Sequence, residues 1–446
     1  MAHRALRSPQ ESGVALVVLL VVVLAVAVVG MAMASNVIRE AQIAVNESNA
    51  IQARYLAEAG IAAAAAQLVN NTYAGPLTQP LGVGSYTVQV TTVNSAVKRI
   101  VSTGQVFYQG TTPTTVSAAQ QTIQATVLVL PQAFAKALLS NTVVTVFTAG
   151  TGSTPTVQNT VLRQLGAIHA NNLNAEDPAV TVLGVGTTVI NQVTTTQMTI
   201  NIDPAVTCIA CAPDATQPTI PFPTFNWASY QTRAQAAGTF FTSQGTFDAY
   251  VAARPTDPQG FRTLSGIVFV QAPILILPRT PAERKLKILG TLVVYQTSGF
   301  AINGLRFIAC SVATPCGDLV LNGLAFPLGL NNLVFTGQNG DPAIMTGGGV
   351  LSLGFPGPLS ITGLVYLLAN TADPTQNPPS EPGYLVLGAP TAPVTIRGAV
   401  VGQRVNAFDS DSLVYDPSVF FPGLPSGLNA TGGPSVLLPL SWSSAK

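Results

Sequence analysis

The sequence predicts an α+β protein: a long N-terminal α-helix able to enter a membrane, a small antiparallel sheet, and a large β-rich domain read as a parallel β-helix, with a β-sandwich as the alternative. Three observations carry this. Val14 to Ala34 is a run of 21 residues without a charge, which at about 1.5 Å per residue covers a hydrocarbon core of ~30 Å. The stretch that follows, to Asn70, has no proline and Gly60 as its only glycine, so the helical pattern does not stop where the apolar run stops. From Gly75 onward the chain changes to period-two alternation punctuated by Gly, Pro and Asn, the pattern of strands and turns.

The elements follow in order. Residues 1–13 form a short leader, MAHRALRSPQESG, whose Arg4 and Arg7 hold the N-terminus in the cytoplasm and send the rest of the chain outward. Residues 14–70 are the membrane-entering helix, roughly 85 Å long if unbroken, too long for an ordinary globular domain. Its charges, Arg39, Glu40, Glu47, Arg54 and Glu58, are scattered among Ala, Ile and Leu as on a partly solvated helix. Turn signals from Gly75-Pro76 to Gly84 end it. Three alternating runs, Ser85–Val93, Lys98–Val106 and Gln121–Leu130, then predict an antiparallel meander over residues 75–131 that folds against the exposed half of the helix.

Residues 132–425 read as short apolar strands cut by Gly or Asn-Gly corners, as in Leu264–Val270, Leu286–Tyr295, Leu359–Tyr366 and Val394–Gly402. Coils that turn sharply and stack at about 4.8 Å need that pattern. An insert at residues 204–262 interrupts it, first Pro-rich and then helical, with Trp227, Tyr230, Ala234, Ala237, Phe240 and Phe241 on one helical face broken by Gly238. A helix packed on the side or end of the strands is the expectation. Residues 426–446 are a C-terminal tail, a loop and a short final strand.

Composition narrows the function classes. The chain is 48% hydrophobic and only 8% charged, against the usual quarter charged, which suits β-structure with uncharged polar faces. A net charge of +1 supplies no basic stripe, so nucleic acid is not an expected partner. Four cysteines stand in two local pairs, Cys208 with Cys211 and Cys310 with Cys316. Outside the membrane an even count favours disulfides, either within each pair or across the two. A zinc site is disfavoured by the spacing of the second pair and by the lack of a nearby His.

The leader ending in Gly13, the apolar helix opening directly at Val14, and the box Ala53-Arg54-Tyr55-Leu56-Ala57-Glu58-Ala59-Gly60-Ile61 together resemble the N-terminus of type IV pilin-like proteins, in particular PilX-type minor pilins and the tip pseudopilins of type II secretion. The resemblance covers about the first 70 residues closely and residues 80–130 loosely. It implies cleavage by a prepilin peptidase between Gly13 and Val14 and N-methylation of the new terminus. It also implies residence in the inner (cytoplasmic) membrane as a precursor, then burial of the helix among other pilins or pseudopilins in a filament at the cell surface. Val18, Tyr55, Glu58 and Gly60 then belong to the assembly helix. Most major pilins carry Glu at the fifth mature position, thought to pair with a neighbour's terminal amine; here that position is Val18. A carboxylate is expensive in lipid unless paired, so the departure eases membrane residence, removes a docking contact, and points to a minor or tip subunit. A secretory signal peptide cut after Ala32-Met33-Ala34 is the rival reading. Against it, the apolar core exceeds the usual ~7–15 residues and the helical pattern runs through the cut.

The search for chemistry finds little. Asp409, Asp411 and Asp416 form the best acidic cluster, a weak calcium candidate, although Asp-rich turns are common solvated loops. His169 is the one histidine outside the leader, and a lone His among Ala, Ile and Asn is more often packed than catalytic. No Ser-His-Asp, HExxH or P-loop pattern is present, so no catalytic residue, enzyme activity or cofactor is expected. The expected function is a minor pilin or pseudopilin that primes or caps a filament and displays a large domain with a surface or glycan ligand. The alternative is a membrane-anchored envelope β-helix adhesin or polysaccharide-acting enzyme.

Overall fold

The computed structural model describes residues 9–107, 117–148, 167–173, 175, 177–184, 189–196, 200–202, 204, 207–210, 217–271, 274–276, 285–294, 305–308, 332–338, 341–346, 350–353, 359–367, 384–388, 394–402, 404–407, 412–429 and 435–445. The architecture is α+β, a long apolar N-terminal helix followed by a sheet-rich region with antiparallel and parallel sheets. Helix α1, Pro9–Val69, is continuous over 61 residues. It extends into the leader, running from Pro9, the first described residue. From Leu16 to Ser48 every residue is exposed. This part of the helix is long and apolar enough to cross a membrane once.

The second half of α1 lies on an antiparallel head sheet. Its first strands are β1 (Leu77–Leu81), β2 (Gly84–Thr92), β3 (Val97–Phe107) and β4 (Ser117–Pro131), paired in sequence order. Alternation places Val88, Ile100, Ile123, Ala125 and Val127 under Ala57, Ile61, Ala64 and Leu68 of the helix, as expected of a sheet with one buried face. The expected three-stranded meander is therefore extended by β1 at one edge. At the other edge it is extended from a place the sequence reading missed, the C-terminus.

The large region holds strands β5 (Leu138–Ser140), β6 (Val144–Thr148), β7 (Ala167–Ala170), β8 (Val180–Gly184), β9 (Val189–Thr195), β10 (Ile200–Ile202) and β11 (Thr207–Ala210). After a short strand β12 (Thr224–Phe225) come helix α2 (Trp227–Ala236), β13 (Phe240–Phe241) and helix α3 (Gln244–Ala252). Then follow β14 (Arg262–Val270), β15 (Ile274–Ile276), β16 (Lys285–Val294), β17 (Leu305–Ile308), β18 (Asn332–Thr336), β19 (Ile344–Thr346) and β20 (Val350–Leu353). The series ends with β21 (Leu359–Leu367), β22 (Tyr384–Gly388), β23 (Val394–Gly402), β24 (Arg404–Ala407), β25 (Ser412–Tyr415), β26 (Leu428–Asn429) and β27 (Ser435–Ala445).

Two parallel sheets are built from these strands. The larger runs β11-β9-β7-β5-β23-β21-β18-β16-β14-β13, and the smaller runs β10-β8-β6-β24-β22-β20-β17-β15. The chain alternates between them, with β5, β7, β9, β14, β16, β18, β21 and β23 in one and β6, β8, β10, β15, β17, β20, β22 and β24 in the other. The chain enters both sheets in their middle. Strands β5 to β11 build outward to one edge, the insert carries the chain to the far edge at β13 and β14, and the remaining strands return until β23 pairs with β5 and β24 with β6.

The larger sheet is covered on both faces. Leu264, Val268, Ile288, Leu292, Ile361, Val365, Ile396 and Val400 share one core with Val144, Val180 and Val405 of the smaller sheet. Ile267, Phe269, Val293, Leu364, Tyr366 and Val401 point the other way, into a second core with Tyr230, Phe134, Phe225 and Phe420. Burial on both faces explains why these strands read as near-continuous apolar runs. The glycines read as corners are bends inside strands instead. Gly266 pairs with Gly290 and Gly363 with Gly398, all four at positive φ, and a Cβ on Gly290 or Gly398 would fall on the backbone of the glycine beside it. Only residues without a Cβ allow that bend to repeat at one level.

Two further expectations need correcting. The insert is two helices rather than one face broken by Gly238. Gly238, at φ +68, ends α2 after the cap residue, and Phe240–Phe241 pass into the larger sheet beside Phe269 and Val270. The tail is no short strand either. β27 spans 11 residues and pairs antiparallel with β4 from Pro131 to Thr122, completing the head sheet as its fifth strand. Everything between β4 and β27 is thus inserted between two neighbouring strands of the head.

Candidate functional site

The residues singled out in α1 divide between two surfaces. Ala53, Leu56, Ala57, Gly60, Ile61, Ala64 and Leu68 are buried, spaced at three and four residues as one helical face. Small residues let the backbones approach closely. A Cβ on Gly60 would fall on Ser102 Oγ and within 2.9 Å of Tyr86 Cδ2. From the sheet side, a Cβ on Gly104 would strike the Ala53 carbonyl and come within 2.5 Å of Ala57 N. The pair forms a reciprocal slot that fixes the height of the helix on the sheet. Ser102 Oγ is buried there with no hydrogen-bond partner.

The outer face of the same turns is open. Tyr55 is 65% exposed, and Arg54 Nε donates to Glu58 Oε1 at 3.0 Å across one turn. Val18 sits on the exposed apolar run, and Gly13 and Val14 lie within the helix. The box read as one motif is therefore two things: an Ala-Leu-Gly face locked to the head, and a Tyr-Arg-Glu face pointing away from it.

A second cluster clamps the inserted region. β18 and β19 pair with the same neighbours, β16 and β21, so the two strands occupy one row of the larger sheet. Asp341, which lies between them in the chain, is buried. Its carboxylate accepts from Tyr230 Oη at 3.0 Å, from Arg233 Nη2 at 3.0 Å, and from Ser426 N and Oγ at 2.9 Å each. Arg233 also donates to Ser426 Oγ. One carboxylate thus ties α2, a sheet row and the C-terminal segment together. Burial, with the Asp341 charge beside it, drives the Tyr230 hydroxyl pKa far up, so this phenol stays a neutral donor. No signal in the sequence set Asp341 apart from other loop aspartates.

His169 is buried at 1% exposure on β7. Asn171 Nδ2 donates to Asn141 Oδ1 at 3.1 Å and to Ile220 O at 2.8 Å, while Asn171 Oδ1 accepts from Ile220 N at 2.8 Å. That assignment leaves Oδ1 as acceptor for His169 Nε2 at 3.1 Å, so Nε2 carries the proton and Nδ1 accepts from Thr194 Oγ1 at 2.8 Å. Burial, and next the nearby Lys136 charge, lower its pKa to about 4. It is a neutral structural histidine in a polar row.

Asp416 opens a 3₁₀ turn at Pro417–Phe420 and caps it by accepting from Ser418 N at 2.9 Å, while Arg397 Nε pairs with its other oxygen at 2.5 Å. These bonds hold its carboxyl below the usual range against the opposing effect of burial. Asp409 and Asp411 lie outside the described residues, as do Cys211, Cys310 and Cys316; of Cys208 only the backbone, in β11, is described. Comparison with known protein families and with curated proteins returns no match.

Proposed function

We propose that the chain is a minor pilin or pseudopilin-like structural subunit, processed at Gly13–Val14 and assembled by α1 with other such subunits into a filament. The observation that carries this reading is the half-docked helix. Past Ala34, where the apolar run ends, residues 35–48 remain exposed on every side, with Val37, Ile38, Ile43 and Val45 among them. That is about 20 Å of helix beyond the span lipid can cover. A single-pass anchor has no use for it, and an isolated helix gains little stability in water without packing. Neighbouring helices of an assembly supply the packing. The unbroken helix across Ala34 and Ser35 also favours prepilin-type processing over a signal peptide, and Val18 in place of an acidic residue favours a minor or tip position.

In this reading the two parallel sheets are walls of a β-helix, each coil giving one strand to each sheet. Support comes from the alternation of the chain between the sheets and from the parallel pairing of every successive neighbour. The β-helix is the displayed part, directed at a surface or glycan ligand. Shearing filaments from cells and probing them for the chain tests the assignment. Wild type co-purifies with the filament fraction, and Gly13→Leu blocks maturation and removes it. A Gly13→Leu chain that matures and assembles normally contradicts the assignment.

A further inference from the structure

A groove of about 850 Å³ runs along the junction of the head sheet and the C-terminal segment. Thr92, Ser95, Lys98, Ser435 and Tyr73 are among the polar side chains that line it. Lys98 Nζ donates to Thr92 Oγ1 at 3.0 Å. Among the described residues no carboxylate lies within ion-pair distance of it. Val90, Val129, Leu424 and Leu428 line it as well. Short hydroxyl side chains and one ammonium in a groove that also has apolar lining suit a ligand that is polyhydroxylated, carries a carboxylate, and has less polar ring C–H surface.

Other anions fit worse. Leu68 lines the same groove and stands 34 residues beyond Ala34, so a lipid headgroup is some 50 Å away along α1. A nucleic acid needs several phosphates neutralised, and the groove holds one cation. We infer that this groove is a binding site for an acidic saccharide, with Lys98 pairing the carboxylate of a uronic-acid unit and the lining hydroxyls recognising its ring substituents. This deepens the reading of the protein as a displayed surface by placing a ligand site at the base of the inserted region, and it rests on that reading. Burial already costs the Lys98 ammonium, lowering its pKa; a bound carboxylate offsets that cost.

The test is calorimetric titration of the full chain in detergent micelles with trigalacturonate, its carboxyl-reduced trisaccharide, triglutamate and inorganic phosphate. Trigalacturonate is expected to bind, with the reduced sugar at least tenfold weaker and neither phosphate nor triglutamate matching it. Lys98→Met weakens trigalacturonate at least tenfold while leaving the melting temperature unchanged or raised, and Lys98→Arg restores most of the affinity. Arg99→Met, one residue along and exposed, leaves binding unchanged. Absence of trigalacturonate binding, equal binding of the reduced sugar, phosphate or triglutamate, or equal loss in Arg99→Met overturns the site. Filament co-purification is read separately, so failure of the site and failure of the filament assignment are distinguishable.

Discussion

Gly60 and Ser102 meet where the helix lies closest to the sheet, and the cost of changing either is set by that contact. Gly60→Ala places a methyl on Ser102 Oγ and against the Tyr86 ring, and overpacking of this kind costs about 1–3 kcal/mol. Ser102→Ala removes a buried hydroxyl without a partner, a group that carries a desolvation penalty. It is expected to be neutral or stabilising, and to recover part of the loss when combined with Gly60→Ala. Thermal unfolding of the four proteins in micelles measures both effects and their coupling; equal destabilisation by both single changes would contradict the slot. His169 adds a pH term. Its folded pKa, about 4, lies below the ordinary value of about 6.5, so the unfolded chain binds the extra proton first. Stability is complete above about pH 6.5, falls as pH drops through the window to about 4, and levels off below it. The full loss is on the order of 3 kcal/mol, and His169→Gln should flatten the slope between pH 4 and 6.5. The sequence marked Gly60 and His169 as unusual residues in their runs. It could not name Ser102 or Asn171, because those contacts depend on strands brought together by folding.

Among the elements, the continuity of α1 and its C-terminal end were legible, the latter to within one residue, since a charge-free run and a proline-free continuation leave a helix no competitor; its extension into the leader was not. The insert was half legible. Its helical composition was plain, but Phe240 and Phe241 were assigned to a helical face because period alone cannot tell a short buried strand from a helix segment, and the neighbouring strand β14 won them. The clamp on Asp341 was not legible, for it joins residues more than a hundred positions apart. Asp341→Ala is expected to leave Tyr230 Oη and the Ser426 groups without their acceptor, costing about 1–3 kcal/mol and loosening α2. Limited proteolysis within residues 226–253 should speed up. Arg233→Met should cost less, since that side chain is nearly half exposed and water can replace it. Equal effects of the two changes would show that the carboxylate is not the centre of the clamp.

For the molecule as a whole, the decisive feature is that β4 and β27 are paired neighbours although the entire inserted region separates them in sequence. Pro131 stands opposite Ser435, so a two-residue hairpin turn replacing residues 132–434 should leave the head closed. Such a chain is expected to keep the helix-on-sheet unit, read as slowly exchanging amides in β2, β3 and β4; rapid exchange throughout would mean that the inserted region holds the head together. Composition and alternation announced the β-rich class of this region. They could not announce that the chain enters the sheets in their middle and returns to that point, because strand order is a long-range property that leaves no local pattern. Under the proposal that α1 is an assembly helix released by prepilin-type cleavage, the N-terminal residue of the mature protein is the most direct test. Mass spectrometry of the protein from cells is predicted to give an N-methylated Val14 as the first residue; a first residue of Ser35, or an intact leader, would contradict the account.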